Sequence, residues 1–186
     1  MNAILKRFIH KASVKKALLF TALFAAMYVI INFSPIGVAG LLAITGGPSI
    51  LDFEFGYTYE KAFELLTALG ADGRAFYQSR IVPVDFPFPF SYMLFYAGWM
   101  ALCIKRLEQR DWHKYLLILP ILAMMFDWVE NIGIIAMLNS YPPLPSWAVA
   151  LASVSGVIKA LLTAGCIAMV LLLFFLSLYS NRRRKQ

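Results

Sequence analysis

A chain of 186 residues with 61% hydrophobic and only 15% charged side chains, and a mean hydropathy of +0.71, is too apolar for an ordinary soluble domain, where about 25% of residues are charged. Its net charge of +7 does not describe a basic surface, because 13 of its 17 lysines and arginines fall in three short clusters beside apolar blocks. That pattern reports membrane topology and gives no reason to expect a nucleic-acid partner.

The first cluster, Lys6, Arg7, Lys11, Lys15 and Lys16, precedes an apolar block at 17–33. A helix needs roughly 20 residues to cross the hydrocarbon core, so this block spans if Lys16 snorkels and Asn32 or Ser34 reaches the far interface. Its length exceeds the apolar run of about 7–15 residues in a signal peptide, which points to an uncleaved first span. Residues 34–85 then carry six acids against Lys61, Arg74 and Arg80. Within them SPIGVAGLLAITGGPS reads as an interfacial or re-entrant piece. A helix follows from an N-cap at Thr58 to Gly70, and a second starts at Asp72 and carries Arg74, Tyr77, Arg80 and Ile81. Pro83 and the run DFPFPF mark a bend into the second span. This hairpin is expected to lie on the outer surface as a cover for the bundle.

The second span covers 86–104 and ends in Lys105, Arg106, Arg110 and Lys114; the third covers 115–138. The loop 139–146 is uncharged, and the fourth block, 147–179, precedes Arg182, Arg183, Arg184 and Lys185. The fourth is longer than an upright span needs, so it tilts or protrudes. The charges place both termini in the cytoplasm and residues 34–85 outside, with the plasma (inner) membrane as the expected location. The expected fold is therefore an all-α integral membrane protein: one membrane domain over residues 1–186, a four-transmembrane-helix bundle with an outward helical hairpin between spans 1 and 2. Cys103 and Cys166 lie within spans and read as small packing residues. In the fourth span Ala152, Gly156, Ala160 and Ala164 recur at four-residue steps as a close-packing stripe that seals the bundle.

One motif breaks the apolar pattern. In the third span MMFDWVENIGI places Asp127, Glu130 and Asn131 on one helix face. Facing lipid, an acid would cost about 2.5–3.5 kcal/mol on insertion scales, so these side chains must meet partners, water or a ligand. Lys159 is the only base inside a span, and the short loop makes spans three and four antiparallel neighbours that bring it to the depth of both acids. Asp85 stands at the mouth of the second span, with Tyr77, Arg74 and Arg80 hanging from the preceding helix. The expected result is a polar, outward-opening pocket in the outer half of the bundle, roofed by the hairpin.

Two roles suit such a cluster. As a site, Asp127, Glu130 and Lys159 are the candidate catalytic residues, an acid–base set for a lipid-like or amphipathic molecule. Asn131, Asp85, Tyr77, Arg74 and Arg80 are then the candidate ligand contacts. As a brace, Asp127 and Glu130 pair with Lys159 to fix helix packing in a non-enzymatic accessory subunit of a membrane complex. No cofactor is expected. Mg²⁺ or Ca²⁺ on Asp127, Glu130 and Asp85 is the alternative, with Arg74 and Arg80 on a lipid phosphate. His10 and His113 lie in basic segments away from the motif, which gives zinc no ligands. Membrane lipids are the expected partners, with a second membrane protein as a further possibility. Four spans without an internal repeat do not suggest a transporter. The layout of four spans, an outward segment after the first and a basic tail resembles the small sterol-isomerase and sigma-2-type membrane proteins, and the resemblance is one of layout.

Overall fold

The structure, a computed structural model, describes residues 2–47, 50–107 and 112–183. Arg110, Arg184 and Lys185 of the basic clusters lie outside the described residues. Among the described residues nine α-helices run in order: α1 Asn2–His10, α2 Val14–Phe33, α3 Val38–Thr45, α4 Tyr59–Ala68, α5 Gly70–Phe76, α6 Val82–Asp85, α7 Phe88–Arg106, α8 Ile118–Ser140 and α9 Ser146–Arg183. Among the described residues there is no strand. Four helical stretches of the described residues, Val14–Thr45, Gly70–Arg106, His113–Ser140 and Ser146–Ser180, are long and apolar enough to cross a membrane. The chain is an all-α helical bundle of membrane type.

Local chemistry explains the boundaries. Ser13 caps α2 by accepting from the Lys16 amide, and Thr58 caps α4 by accepting from the Lys61 amide, each satisfying an amide the helix start leaves open. Between α2 and α3 the chain reverses so tightly that a Cβ on Gly37 would lie 2.1 Å from the Ile31 carbonyl oxygen. SPIGVAG is thus a sharp turn into a short helix, and Gly46 ends that helix in the left-handed conformation at φ 65. The run DFPFPF holds a short turn at residues 86–87. Pro89 occupies the first turn of α7, where a missing N–H costs nothing, and Pro83 stands in α6, which follows directly on a π-helical turn. The chain stays helical from Gly70 to Arg106 apart from the turn at residues 86–87, and residues 77–81 form the π-helical turn. The second arm of the hairpin therefore leads into the second apolar stretch with only that short turn at 86–87 between them.

The hairpin is seated on the α8–α9 loop through Tyr141. Phe63 stacks on that ring with centroids 5.7 Å apart, and Thr67 Oγ1 lies 2.7 Å from its hydroxyl. The Arg74 guanidinium sits 3.9 Å from the ring centroid. At the bundle's edge α2 leans on α7 through Phe24 and Phe95, 5.0 Å apart, and through Trp99 Nε1, which donates to Thr21 Oγ1 at 3.0 Å. The outward faces stay apolar, with Leu18, Leu23, Val29, Ile132, Leu161 and Phe175 exposed, as suits contact with lipid tails.

The interior has two apolar cores. One, beside the hairpin, holds Leu41, Leu51, Leu66, Ile81, Ile134, Met137 and Ala152. The other, towards the chain ends, holds Leu5, Ile9, Met100, Ile104, Leu117, Ala123, Cys166 and Leu173. On α8 the first core begins at Ile134 and the second ends at Met124. The residues left between them are those of the polar motif.

Candidate functional site

The polar layer between the cores is assembled from five elements. From α8, Asp127, Glu130 and Asn131 point inward and are all buried. From α9, Lys159 Nζ meets Glu130 Oε2 at 2.5 Å and Asp127 Oδ2 at 3.8 Å. From α6, the buried Asp85 accepts at Oδ2 from Asn131 Nδ2 at 2.6 Å, and the same amide nitrogen reaches Asp127 Oδ1 at 3.5 Å. From α7, the Tyr92 hydroxyl donates to Asp127 Oδ2 at 3.0 Å. The fifth element is the segment after α3, where the Tyr77 hydroxyl, buried in the π turn, donates to Asp52 Oδ2.

That segment forms a lid. The Tyr57 amide donates to Ser153 Oγ of α9 at 2.8 Å, and Gly56, at φ 76, lets the chain pass close to α9. A Cβ there would lie 3.0 Å from Val157 Cγ2. Leu51 of the lid is fully buried. Close approach shapes the far wall as well. A Cβ on Gly156 would lie 2.5 Å from Glu130 Oε1, and one on Gly133 would lie 2.8 Å from the Ala148 carbonyl oxygen. Gly133 thus lets α8 approach the backbone of α9, and Gly156 leaves room on α9 for the Glu130 carboxylate.

The sequence-derived candidates divide cleanly. Asp127, Glu130, Asn131, Lys159 and Asp85 come together, and Tyr77 reaches the layer through Asp52. Arg74 and Arg80 do not join them. Arg74 Nη1 donates to the Leu66 carbonyl at 2.7 Å and covers Tyr141, so it fastens the hairpin, and Arg80 is exposed. The physical reason is register: Tyr77, Ile81 and Asp85 recur at four-residue steps and are buried together, whereas Arg74 and Arg80 fall off those steps. Asp52, Tyr57 and Tyr92 are the members the sequence reading missed. An acid within the apolar run ILDFEF was the available signal for Asp52. Tyr92 was hidden among phenylalanines that read as an aromatic belt.

Charge and satisfaction define the chemistry. Asp52, Asp85, Asp127 and Glu130 surround one ammonium, so the layer has capacity for a further positive charge, whether a proton or a donor group of a ligand. Glu130 Oε1 and the Tyr57 hydroxyl are buried without a hydrogen-bond partner, whereas buried polar atoms normally have one. Glu130 Oε2 lacks a hydrogen bond of good angle as well, but its contact with Lys159 is an ion pair. Burial, with Glu130 and then Asp52 nearby, pushes the Tyr57 phenol well above its ordinary ionisation range, so it remains a neutral donor. Among the described residues no group of three or more Asp, Glu, His or Cys side chains is arranged to hold a metal ion. The chain matches no family model, no curated protein and no solved structure.

Proposed function

We propose that the polar layer is an intramembrane site that binds, and is equipped to process, a lipid-like or amphipathic molecule. The observation that carries this reading is the pair of unpartnered, buried polar atoms, Glu130 Oε1 and Tyr57 Oη, in a layer where four acids share one lysine. A brace that served packing alone would satisfy its buried atoms. A ligand with a hydroxyl or amine at one end and an apolar body would donate to Glu130, accept from Tyr57 and leave its body between the helices. Asp127 and Glu130 then serve as an acid–base pair, with Lys159 holding one carboxylate ionised. The lid at residues 50–57 is the entrance. With both termini on the cytoplasmic side of a plasma (inner) membrane, as the basic clusters favour, that entrance faces the outer leaflet.

The test is native mass spectrometry after gentle extraction. A co-purifying lipid-like adduct is expected on the wild type and is expected to vanish in Glu130→Gln; an empty wild type would refute the reading.

One observation favours a second reading. The Glu130–Lys159 contact joins α8 to α9 where Gly133 and Gly156 bring them closest, as a packing brace in an accessory subunit would. That reading expects a stable partner protein in mild-detergent pull-downs, and a lone chain at native expression level would count against it.

A further inference from the structure

A separate cavity of about 470 Å³ lies at the opposite end of the bundle, lined by residues of α1, of the turn after it, of α2 and of α7. Its volume is in the range of about 300–1,000 Å³ typical of small-molecule sites. The helix α1 builds it by using two faces. Leu5 and Ile9 are buried against the second apolar core. Ile4, Arg7, Phe8 and Lys11, at steps of three and four, form a separate stripe that lines the cavity. On α2, Lys16 and Phe20 share a second stripe that faces it. Its floor is kept low by small residues, Ala12, Ala17 and Gly98. A Cβ on Gly98 would lie 2.7 Å from the Phe20 ring.

The helix is firmly placed. Lys105 Nζ donates to the His10 and Ala12 carbonyl oxygens at 2.8 and 2.9 Å, and the Tyr115 hydroxyl donates to Asn2 Oδ1 at 3.0 Å. The cavity is therefore held open by structure on three sides. Its walls are apolar and its rim carries three cations, and among the described residues none of Arg7, Lys11 and Lys16 has a carboxylate partner.

We propose that this cavity binds one anionic phospholipid from the leaflet on the side of the chain ends, its phosphate held by Arg7, Lys11 and Lys16 and an acyl chain lying over Ala17 and Gly98 between Phe8 and Phe20. Charge complementarity selects the headgroup, since guanidinium and ammonium groups pair with phosphate and basic groups at a membrane surface attract anionic lipid. The apolar walls select a lipid over a soluble phosphate. The site is distinct from the polar layer: no residue is common to the two.

The experiment uses the full chain in mild detergent, titrated with phosphatidylglycerol or with phosphatidylcholine of the same acyl chains and followed by native mass spectrometry. A single phosphatidylglycerol adduct is expected, at least tenfold preferred over phosphatidylcholine and unaffected by Glu130→Gln. Joint replacement Arg7→Gln, Lys11→Gln and Lys16→Gln is expected to abolish the preference. Leu19→Trp, at an exposed position on the cavity wall, is expected to weaken the adduct at least tenfold with every charge retained. This variant keeps the test decisive should the triple variant fail to fold. Lys15→Gln with Arg106→Gln, both outside the cavity, is expected to change binding less than twofold. Equal binding of the two lipids, an equal loss in the outside pair, or no effect of Leu19→Trp would overturn the proposal.

Discussion

Tyr57 is held at the layer by its backbone, whose amide donates to Ser153, while its hydroxyl is buried with nothing to bond. Such a group is costly: an unsatisfied buried polar atom destabilises by about 1–3 kcal/mol. Tyr57→Phe should therefore leave the thermal unfolding temperature unchanged or raise it, yet weaken the adduct proposed at Glu130. A clear loss of stability would show that the hydroxyl already has a partner. The direction of its ionisation gives a second check. With its folded ionisation pushed above the ordinary 10.0, the phenol's contribution is complete below that pH and is lost as pH rises beyond it. In an alkaline absorbance titration of the folded protein, wild type and Tyr57→Phe should gain phenolate equally near pH 10. At this scale the sequence exposed Asp127, Glu130, Asn131 and Lys159 because a charge or amide inside an apolar run has no bland explanation. It hid Asp52 and Tyr57, because a polar residue in a loop has many, and their role depends on how the lid folds over α9.

The α8–α9 seam shows which packing features a linear pattern can and cannot carry. A stripe at strict four-residue steps drifts by about 40° per step on a helix of 3.6 residues per turn. Ala152 and Gly156 accordingly lie in the seam, Ala160 lies at its margin and Ala164 is exposed. The buried face of α9 continues instead through Cys166, Leu173 and Ser177. The two glycines make different predictions. Added at Gly133, a methyl group meets the backbone of Ala148 and Ala152, which cannot yield without parting the helices. Gly133→Ala should cost about 1–3 kcal/mol, the usual penalty for overpacking. At Gly156 the methyl meets the Glu130 carboxylate, the movable end of a side chain. Gly156→Ala should shift thermal unfolding less than Gly133→Ala while removing the ligand adduct. Equal losses of stability would mean that the carboxylate is as rigid as the backbone.

Across the whole molecule, the presence of four long apolar stretches was readable because span length is a property of the chain alone, whereas the first stretch runs on to Thr45 and the second starts at Gly70, beyond the expected 17–33 and 86–104. What composition could not show was the stacking of two apolar cores with a polar layer between them, since that depends on depth matching across α6, α7, α8 and α9. The excess length of the fourth block was legible, and α9 runs 38 residues without a break, about 57 Å at 1.5 Å per residue, well beyond a core of about 30 Å. The proposed orientation is open to thiol labelling. An impermeant maleimide should modify Glu64→Cys in intact cells and Lys11→Cys only after permeabilisation, while the buried Cys103 and Cys166 stay unreactive. The reverse pattern would invert the topology and place the lid in the cytoplasm.

The central claim, that the polar layer is kept for a ligand and not for packing, is tested most directly by thermal unfolding in a single detergent of the wild type, Asp127→Asn, Glu130→Gln and Lys159→Met. Removing one partner of a buried pair that serves structure costs about 3–5 kcal/mol, whereas residues retained for function are commonly neutral or stabilising to replace. The expected result is that both acid variants unfold at or above the wild-type temperature, with only Lys159→Met, which leaves the acids without their cation, below it. A heavy loss of stability in all three variants would contradict the account and make the layer a brace.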